Sequence, residues 1–369
     1  MPEPADALVP RGSLALHIGV HKTGTTAVQS ALAARRDELR AHGVDYPGTL
    51  MAHRTVASSA MGRPLGFRTD GARPPRRGLW EKTLKDAEAF DGTTLISSEF
   101  FAEADDDVCR RMVSDVGVDR LQVIITLRNL ARILPSAWQQ NLKSGFRTQY
   151  EDWLRFILID EEGSKGTTFW RRHRHDRVVR RWAEVAGADR VTVVVVDERD
   201  RDGIYRAFET LLGLPSGLLS PSESTSANRS FSAAEAEFFR RLNLAVADAG
   251  GWARFRNVAH DGLEKSLVEG RVADPDEPRL QTPQWALDRA ADLAATFVEE
   301  IRASGVRVIG ELDVLSQRLS GPEGGPIVPE EMPIDAAVAA LLGVLESAAQ
   351  SNQSSRRALT RARSLLRRH

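Results

Sequence analysis

His17-Ile18-Gly19-Val20-His21-Lys22-Thr23-Gly24-Thr25-Thr26 decides how this chain is read. The residues from Leu14 to Val20 form a short, mostly apolar run bounded by glycine, the pattern of a buried parallel strand. After Thr25, the apolar residues Val28, Leu32 and Leu39 share one helical stripe, and Gly43 supplies a C-terminal stop. A strand, a glycine-bracketed loop and a helix make an anion cradle, because the first N–H groups of a helix have no partner within it. The common phosphate loop of nucleotide hydrolases reads GxxxxGK[ST]. Here Gly19 and Gly24 keep that spacing, but Thr25 takes the lysine position and the positive charge sits inside the loop at Lys22. The displaced lysine argues against ordinary ATP or GTP hydrolysis. A strand-to-helix turn with no ligand would use the same residue types, so context decides.

That context includes a second anion motif. Val123-Ile124-Ile125-Thr126-Leu127-Arg128 is an apolar strand ending in arginine, with Asn129 next and Ser136 eight residues beyond Arg128. An arginine at the carboxyl end of a buried parallel strand faces the crevice where open α/β sheets bind ligands. Its planar fork suits a phosphate, and a hydroxyl on the first turn of the following helix would complete the site. The competing roles are an ion pair at the sheet edge for Arg128 and a local helix cap for Ser136.

Together these segments resemble the sulfotransferases that use 3'-phosphoadenosine 5'-phosphosulfate (PAPS). The family's loop for the 5'-phosphosulfate has the pattern KxGTT, matched by Lys22-Thr23-Gly24-Thr25-Thr26, and its 3'-phosphate pair is matched by Arg128 and Ser136. The resemblance extends over most of the region from Leu14 to about Ser316, although only these two motifs are specific. It implies PAPS as co-substrate and 3',5'-diphosphoadenosine as product. It also puts the general base at the end of the second strand, where Glu99 follows Ile96-Ser97-Ser98.

Sulfuryl transfer needs alignment, neutralisation of charge on the leaving phosphate oxygen, and a base for the acceptor proton. Lys22 is the electrostatic candidate. Two histidines compete with Glu99 as base: His21, where many relatives have proline, and His53 in a loop that could face an acceptor. His173 and His175 invite a metal reading, but arginines surround them and positions two apart do not share a helical face. No metal site is expected. The surrounding arginine-rich helix, anchored by Trp170, Val178 and Trp182, reads as a solvated surface or as a dock for an acidic acceptor. Asn228-Arg229-Ser230 is a candidate for a loop folding over the nucleotide.

Composition limits the remaining classes. The 369 residues suffice for one large α/β domain with an appendage, and a net charge of −1 gives no global field for nucleic acid. One cysteine, Cys109, excludes an internal disulfide framework. No apolar run approaches the roughly 18 residues of a membrane span, and no signal sequence opens the chain, so the expected localisation is cytoplasmic. Leu8-Val9-Pro10-Arg11-Gly12-Ser13 resembles a protease-recognition linker, which assigns residues 1–13 to a disordered tail or linker.

Strand candidates at Thr93–Ser98, Leu121–Leu127 and Val191–Val196 alternate with helices, and the segment from Met51 to Arg77 reads as a long functional loop. The expected fold is α/β, a central parallel sheet with helices on both faces, of the P-loop nucleotide-binding type, with a C-terminal helical extension. Its parts are a catalytic domain over 14–316, a linker over 317–334 and the extension over 335–369. In the extension, Val338, Leu341, Leu342 and Leu345 form a stripe that should pack on the domain or on a second copy as a homodimer. Arginines from Arg356 to His369 read as a solvated helix end or as contact with an anionic membrane surface or acidic partner.

The functional expectation is sulfuryl transfer from PAPS to a hydroxyl or amine of a carbohydrate, glycolipid or small molecule. The alternatives are a P-loop kinase or nucleotide hydrolase, and a nucleotide-binding scaffold without catalysis. The sequence lacks an acidic strand end for Mg²⁺ of the kind the first alternative needs.

Overall fold

The computed structural model describes residues 8–66, 75–164, 167–221, 229–248, 255 and 261–366, with side chains described up to residue 350 except at 161, 162 and 261. The first half contains β1 (Leu14–Gly19), α1 (Thr25–Ala34), α2 (Arg36–Ala41), β2 (Val44–Asp45), α3 (Arg54–Met61), α4 (Gly78–Glu88), β3 (Thr93–Ser97), α5 (Asp106–Val116), β4 (Leu121–Arg128) and α6 (Leu130–Leu142). There follow α7 (Tyr150–Leu158), α8 (Glu161–Ser164), α9 (Thr168–His173), α10 (His175–Ala186), β5 (Val191–Val196) and α11 (Gly203–Leu212). The chain ends with α12 (Ala233–Asp248), α13 (Asp261–Val268), α14 (Gln284–Ala303), β6 (Arg307–Ile309) and α15 (Ile334–Leu366).

Two compact units form. The first comprises Met1–Leu134, Arg155–Thr225 and Gln284–Ser320, and the second Pro135–Leu154, Ser226–Pro283 and Gly321–His369. The first unit is a six-stranded sheet in the order β2-β3-β1-β4-β5-β6. Every pairing is parallel. Alternation along the strands fills two cores. Leu16, Ile18, Ile96, Val123 and Ile125 pack with Met112 of α5, Trp182 of α10 and Ile301 of α14. Ala15, Leu95, Ile124 and Val194 face the opposite way, onto Val28 and Leu32 of α1 and Phe208 and Leu211 of α11. The sheet is thus covered on both faces, as the alternation of strands and helices predicts.

Several local expectations change. The stripe through Val28, Leu32 and Leu39 is not one helix but two, broken at Arg35 (φ −123°). The segment expected as a loop from Met51 contains α3, with residues 67–74 outside those described. The arginine-rich run is likewise two helices, separated at Arg174 (φ −78°, ψ 81°). Residues 8–13, expected outside the fold, join it: Val9 is buried and its N–H donates to the Leu211 carbonyl at 2.9 Å. Edge strands β2 and β6, two and three residues long, are too short for a periodic signal.

The second unit is helical. Gly262 of α13 and Gly343 of α15 bring their backbones together: a Cβ at either would meet the other's carbonyl oxygen at 2.2 or 2.3 Å. The residues of α15 that bury here are therefore small, namely Ala336, Ala339 and Ala340. The expected stripe lies elsewhere on the helix, with Val338 49 % and Leu341 65 % exposed. Arg271 is buried and binds Glu235 of α12, Glu277 and Asp335 of α15. No helix among the described residues is long and apolar enough to cross a membrane.

One buried polar chain crosses the first unit's sheet. The Thr23 hydroxyl donates to the Val20 carbonyl at 2.6 Å and so must accept from Thr126 Oγ1, 3.0 Å away. Thr126 in turn accepts from His17 Nε2 at 3.3 Å, which leaves His17 Nδ1 to accept from Ser97 Oγ at 2.8 Å. Ser97 Oγ accepts from Gln29 Nε2 at 3.1 Å. Every proton in the chain is used, and only neutral His17 fits. Burial pushes its imidazole down from 6.5 to about 3.

The unfolded chain takes up this proton near pH 6.5, whereas the folded protein resists it to about 3. The contribution is complete above pH 6.5 and is lost as the pH falls toward 3. His17→Gln does not titrate, so denaturant melts across this range should show a shallower acid loss than wild type. Its stability at pH 7 should fall by roughly 1–3 kcal/mol through imperfectly satisfied hydroxyls. An acid slope equal to wild type would assign the acid sensitivity to other groups.

Candidate functional site

The loop between β1 and α1 lies at the carboxyl edge of the central strand, at the point where successive connections leave in opposite directions. Gly19 is required by contact: a Cβ there would sit 1.8 Å from Thr25 Oγ1. Gly24 precedes the helix with φ +80°, and no side chain caps the helix start. The first turn of α1 carries no acidic residue, so its N–H groups keep their attraction for an anion. Thr25 Oγ1 is buried with no hydrogen-bond partner among the described residues. Lys22 is the one non-glycine residue with positive φ among those described, at 70°. That conformation costs a residue with a Cβ about 1–2 kcal/mol. Such strained positions cluster at ligand-binding sites.

Arg128, the last residue of β4, reaches the same edge. Its Nη1 donates to the Lys22 carbonyl at 3.1 Å, which joins the two sequence motifs directly. Its Nε donates to Glu198 Oε1 at 2.8 Å, and its Nη2 binds the same oxygen. Arg132 approaches the other Glu198 oxygen at 3.4 Å. The carboxylate thus occupies the Nε–Nη2 edge of the guanidinium. Asn129 caps α6 through Ala131 N–H and also donates to the Val314 and Gln317 carbonyls at 3.0 and 2.9 Å. Ser136 lies on the second turn of α6, in the second unit, not on the first turn beside exposed N–H groups.

Beyond β3, a 3₁₀ turn runs from Glu99 to Glu103, begun by Ser98 Oγ accepting from Phe100 N–H. Glu99 is half-buried at the strand end and makes no hydrogen bond or ion pair among the described residues. His53 is held on both sides: Nδ1 accepts from Ser97 N–H at 3.0 Å, and Nε2 donates to the Pro47 carbonyl at 2.8 Å. Its lone pair is therefore occupied by the backbone. His21 is buried, lies edge-on to Phe100 and approaches Glu103 Oε1 at 3.5 Å. Burial pushes the His21 imidazole down, against the opposing pull of the Glu103 hydrogen bond.

Glu103 has no conspicuous sequence signal. Arg172 Nε donates to it at 2.8 Å, and Arg63 lies 3.6 Å away. Burial alone would raise its carboxyl, but the His21 hydrogen bond and the Arg172 charge outweigh that effect and hold it at about 2. His173 and His175, expected on one helix, are buried at the junction of α9 and α10. His173 Nδ1 donates to the Phe169 carbonyl at 2.8 Å. No group of three His, Cys, Asp or Glu side chains among the described residues could hold a metal ion. Asn228 lies outside the described residues, while Arg229 pairs with Glu235 inside the second unit.

Neither a family model nor a curated protein matches the chain. A solved structure, the crystal structure of a sulfotransferase from Alicyclobacillus acidocaldarius, aligns with a TM-score of 0.41 and 18% identity. The alignment covers 64% of this chain and 94% of that one.

The loop geometry separates strain from function. Lys22→Gly removes the left-handed penalty but adds chain entropy to the unfolded state, so thermal melts should show a net change between zero and roughly 1 kcal/mol of stabilisation. Destabilisation by more than about 1 kcal/mol would mean that the lysine side chain holds the loop together.

Proposed function

We propose that the protein is a PAPS-dependent sulfotransferase, moving the sulfuryl group to a hydroxyl or amine of an acceptor. The observation that carries the reading is the junction of Lys22 with Arg128. A strained lysine inside a glycine-bracketed loop shares a hydrogen bond with an arginine from the adjacent strand, at the N-terminus of a helix with no acidic first turn. Two anionic groups on one nucleotide fit such a pair. The loop from Lys22 through Thr23, Gly24, Thr25 and Thr26 takes the 5'-phosphosulfate in this reading, and Arg128 the 3'-phosphate. Ser136 keeps the 3'-phosphate role that the sequence resemblance implies.

In the transfer step an acceptor oxygen or nitrogen bonds to sulfur as the bridging bond from sulfur to the phosphate oxygen breaks. Lys22 and the α1 N-terminus stabilise the charge left on the phosphate. Glu99 takes the acceptor proton. It is preferred over His53, whose ring nitrogens both serve the backbone, and over His21, which is buried against Phe100 and Glu103.

Calorimetric titration tests the donor. 3',5'-Diphosphoadenosine should bind without Mg²⁺ and more tightly than ADP, whereas a strict Mg²⁺ requirement would favour a kinase. Arg128→Ala should weaken 3',5'-diphosphoadenosine about tenfold or more while sparing adenosine 5'-phosphosulfate, which lacks the 3'-group. Glu198→Gln should strengthen 3',5'-diphosphoadenosine, since the phosphate no longer displaces a carboxylate from Arg128. Equal weakening of both ligands by Arg128→Ala would remove the 3'-phosphate assignment.

Single-turnover transfer tests the base. Glu99→Gln should lower the rate on the order of 10²–10⁴-fold and leave 3',5'-diphosphoadenosine affinity near wild type. His53→Ala should cost stability through its two backbone partners. Full activity in Glu99→Gln alongside inactive but folded His21→Ala would move the base to His21.

A further inference from the structure

Beside Glu103 the first unit contains a cavity of about 440 Å³, within the range of small-molecule sites. Its apolar wall includes Ile157, Val178 and Phe297, all buried. Its cationic wall comes from the two arginine-bearing helices: Arg171 of α9, and Arg177 and Arg181 of α10, with Arg174 between them.

The charges on this wall are not balanced. Arg174 pairs with Asp176 and stacks on Phe297 at 5.0 Å, and Arg181 pairs with Asp106 at 2.8 Å. The carboxylates of the lining are already engaged, Glu103 by Arg172 and Asp105 by the Val108 N–H that it caps at 2.8 Å. Arg171 donates to the Thr168 hydroxyl at 2.9 Å, and neither it nor Arg177 has a carboxylate partner among the described residues. Both are exposed, so the two unneutralised guanidiniums line a pocket with an apolar interior. Glu103, which forms part of the lining, is 3.5 Å from His21 of the cradle loop.

We infer that this cavity is the acceptor site, and that it selects a small acceptor with an apolar body and an anionic group held by Arg171 and Arg177. The inference rests on the donor reading above and names the acceptor class. A carboxylate, sulfate or phosphate would receive the two forks, and the body would lie against Val178 and Phe297.

The probe pair is 6-hydroxy-2-naphthoate and 6-hydroxy-2-naphthamide, equal in shape and differing in charge at pH 7. Calorimetry in low salt, with 3',5'-diphosphoadenosine present, should show the carboxylate binding about tenfold more tightly than the amide. The Arg171→Gln/Arg177→Gln double variant should abolish that difference by weakening the carboxylate alone. With PAPS, the same variant should raise KM for the carboxylate and leave kcat near wild type. Equal binding of the two probes, or an unaffected double variant, overturns the inference. A carboxylate that binds through the arginines but is no better as an acceptor than the amide also overturns it, since the cavity would then bind anions without serving transfer. 3',5'-Diphosphoadenosine titrated on the same samples separates the two readings. Intact nucleotide binding with no probe discrimination removes the acceptor site alone, and absent nucleotide binding removes the donor reading.

Discussion

The hydrogen-bond chain through His17 is the constraint on which the cradle depends. Thr23 is a loop residue, yet its hydroxyl is tied to Thr126 on one neighbouring strand and, through His17, to Ser97 on the other. Each link is buried, where an unmet hydroxyl costs roughly 1–3 kcal/mol, so the loop cannot shift without breaking several at once. The left-handed Lys22 persists inside this frame because both flanks are fixed: Thr23 by its hydroxyl, and Val20 by its N–H to the Thr126 carbonyl at 3.4 Å. The apolar faces of the sheet supply most of the stability, but they would tolerate a neighbouring loop shape. The polar chain selects one.

Electrostatics at the carboxyl edge follow from the same geometry. Arg128 is held in position by the Lys22 carbonyl and neutralised by Glu198, which is 38% exposed on its side chain. Such a pair near solvent is weak, and a doubly charged phosphate in the same fork is a stronger partner. Glu103 is different. It is buried under Arg172 and His21, and removing its partners would leave a buried charge unpaired. Glu198 is thus a solvent-screened partner of its arginine, whereas Glu103 is a buried charge that contacts His21 of the cradle loop and also lines the arginine-bearing cavity.

What the sequence revealed was local. Gly19, Lys22, Gly24 and Thr25 are close in the chain, and their spacing states the turn, the charge and the helix start. Arg128 was visible because an apolar run ends at it. Hidden features depended on register: His17 meets Ser97 and lies two residues from the Gly19–Thr126 pair only once β3, β1 and β4 align. His53 looked available because a loop histidine shows nothing of the backbone groups that engage its ring. The α15 stripe was legible, but the face that packs within the second unit was not, for a related reason. Leucine spacing marks an apolar face, but the glycine and alanine face packs closest, because only small residues let the α13 and α15 backbones meet.

A net charge of −1 hides an uneven local distribution of arginine. Most arginines of the first unit are matched locally, as Arg181 is by Asp106 and Arg190 by Asp119, so they add little field at a distance. A surplus can then be confined. Arg171 and Arg177 come from two short helices separated at Arg174, and that break lets both line one cavity. On a single continuous helix, residues six apart would be about 120° from facing the same way. The break is itself stabilised by burial: His173 and His175 turn inward on either side of Arg174, and Asp176 holds its guanidinium. The two histidines that suggested a metal in the sequence are therefore buried anchors of the turn from which the cationic wall is built, His173 through its hydrogen bond to the Phe169 carbonyl.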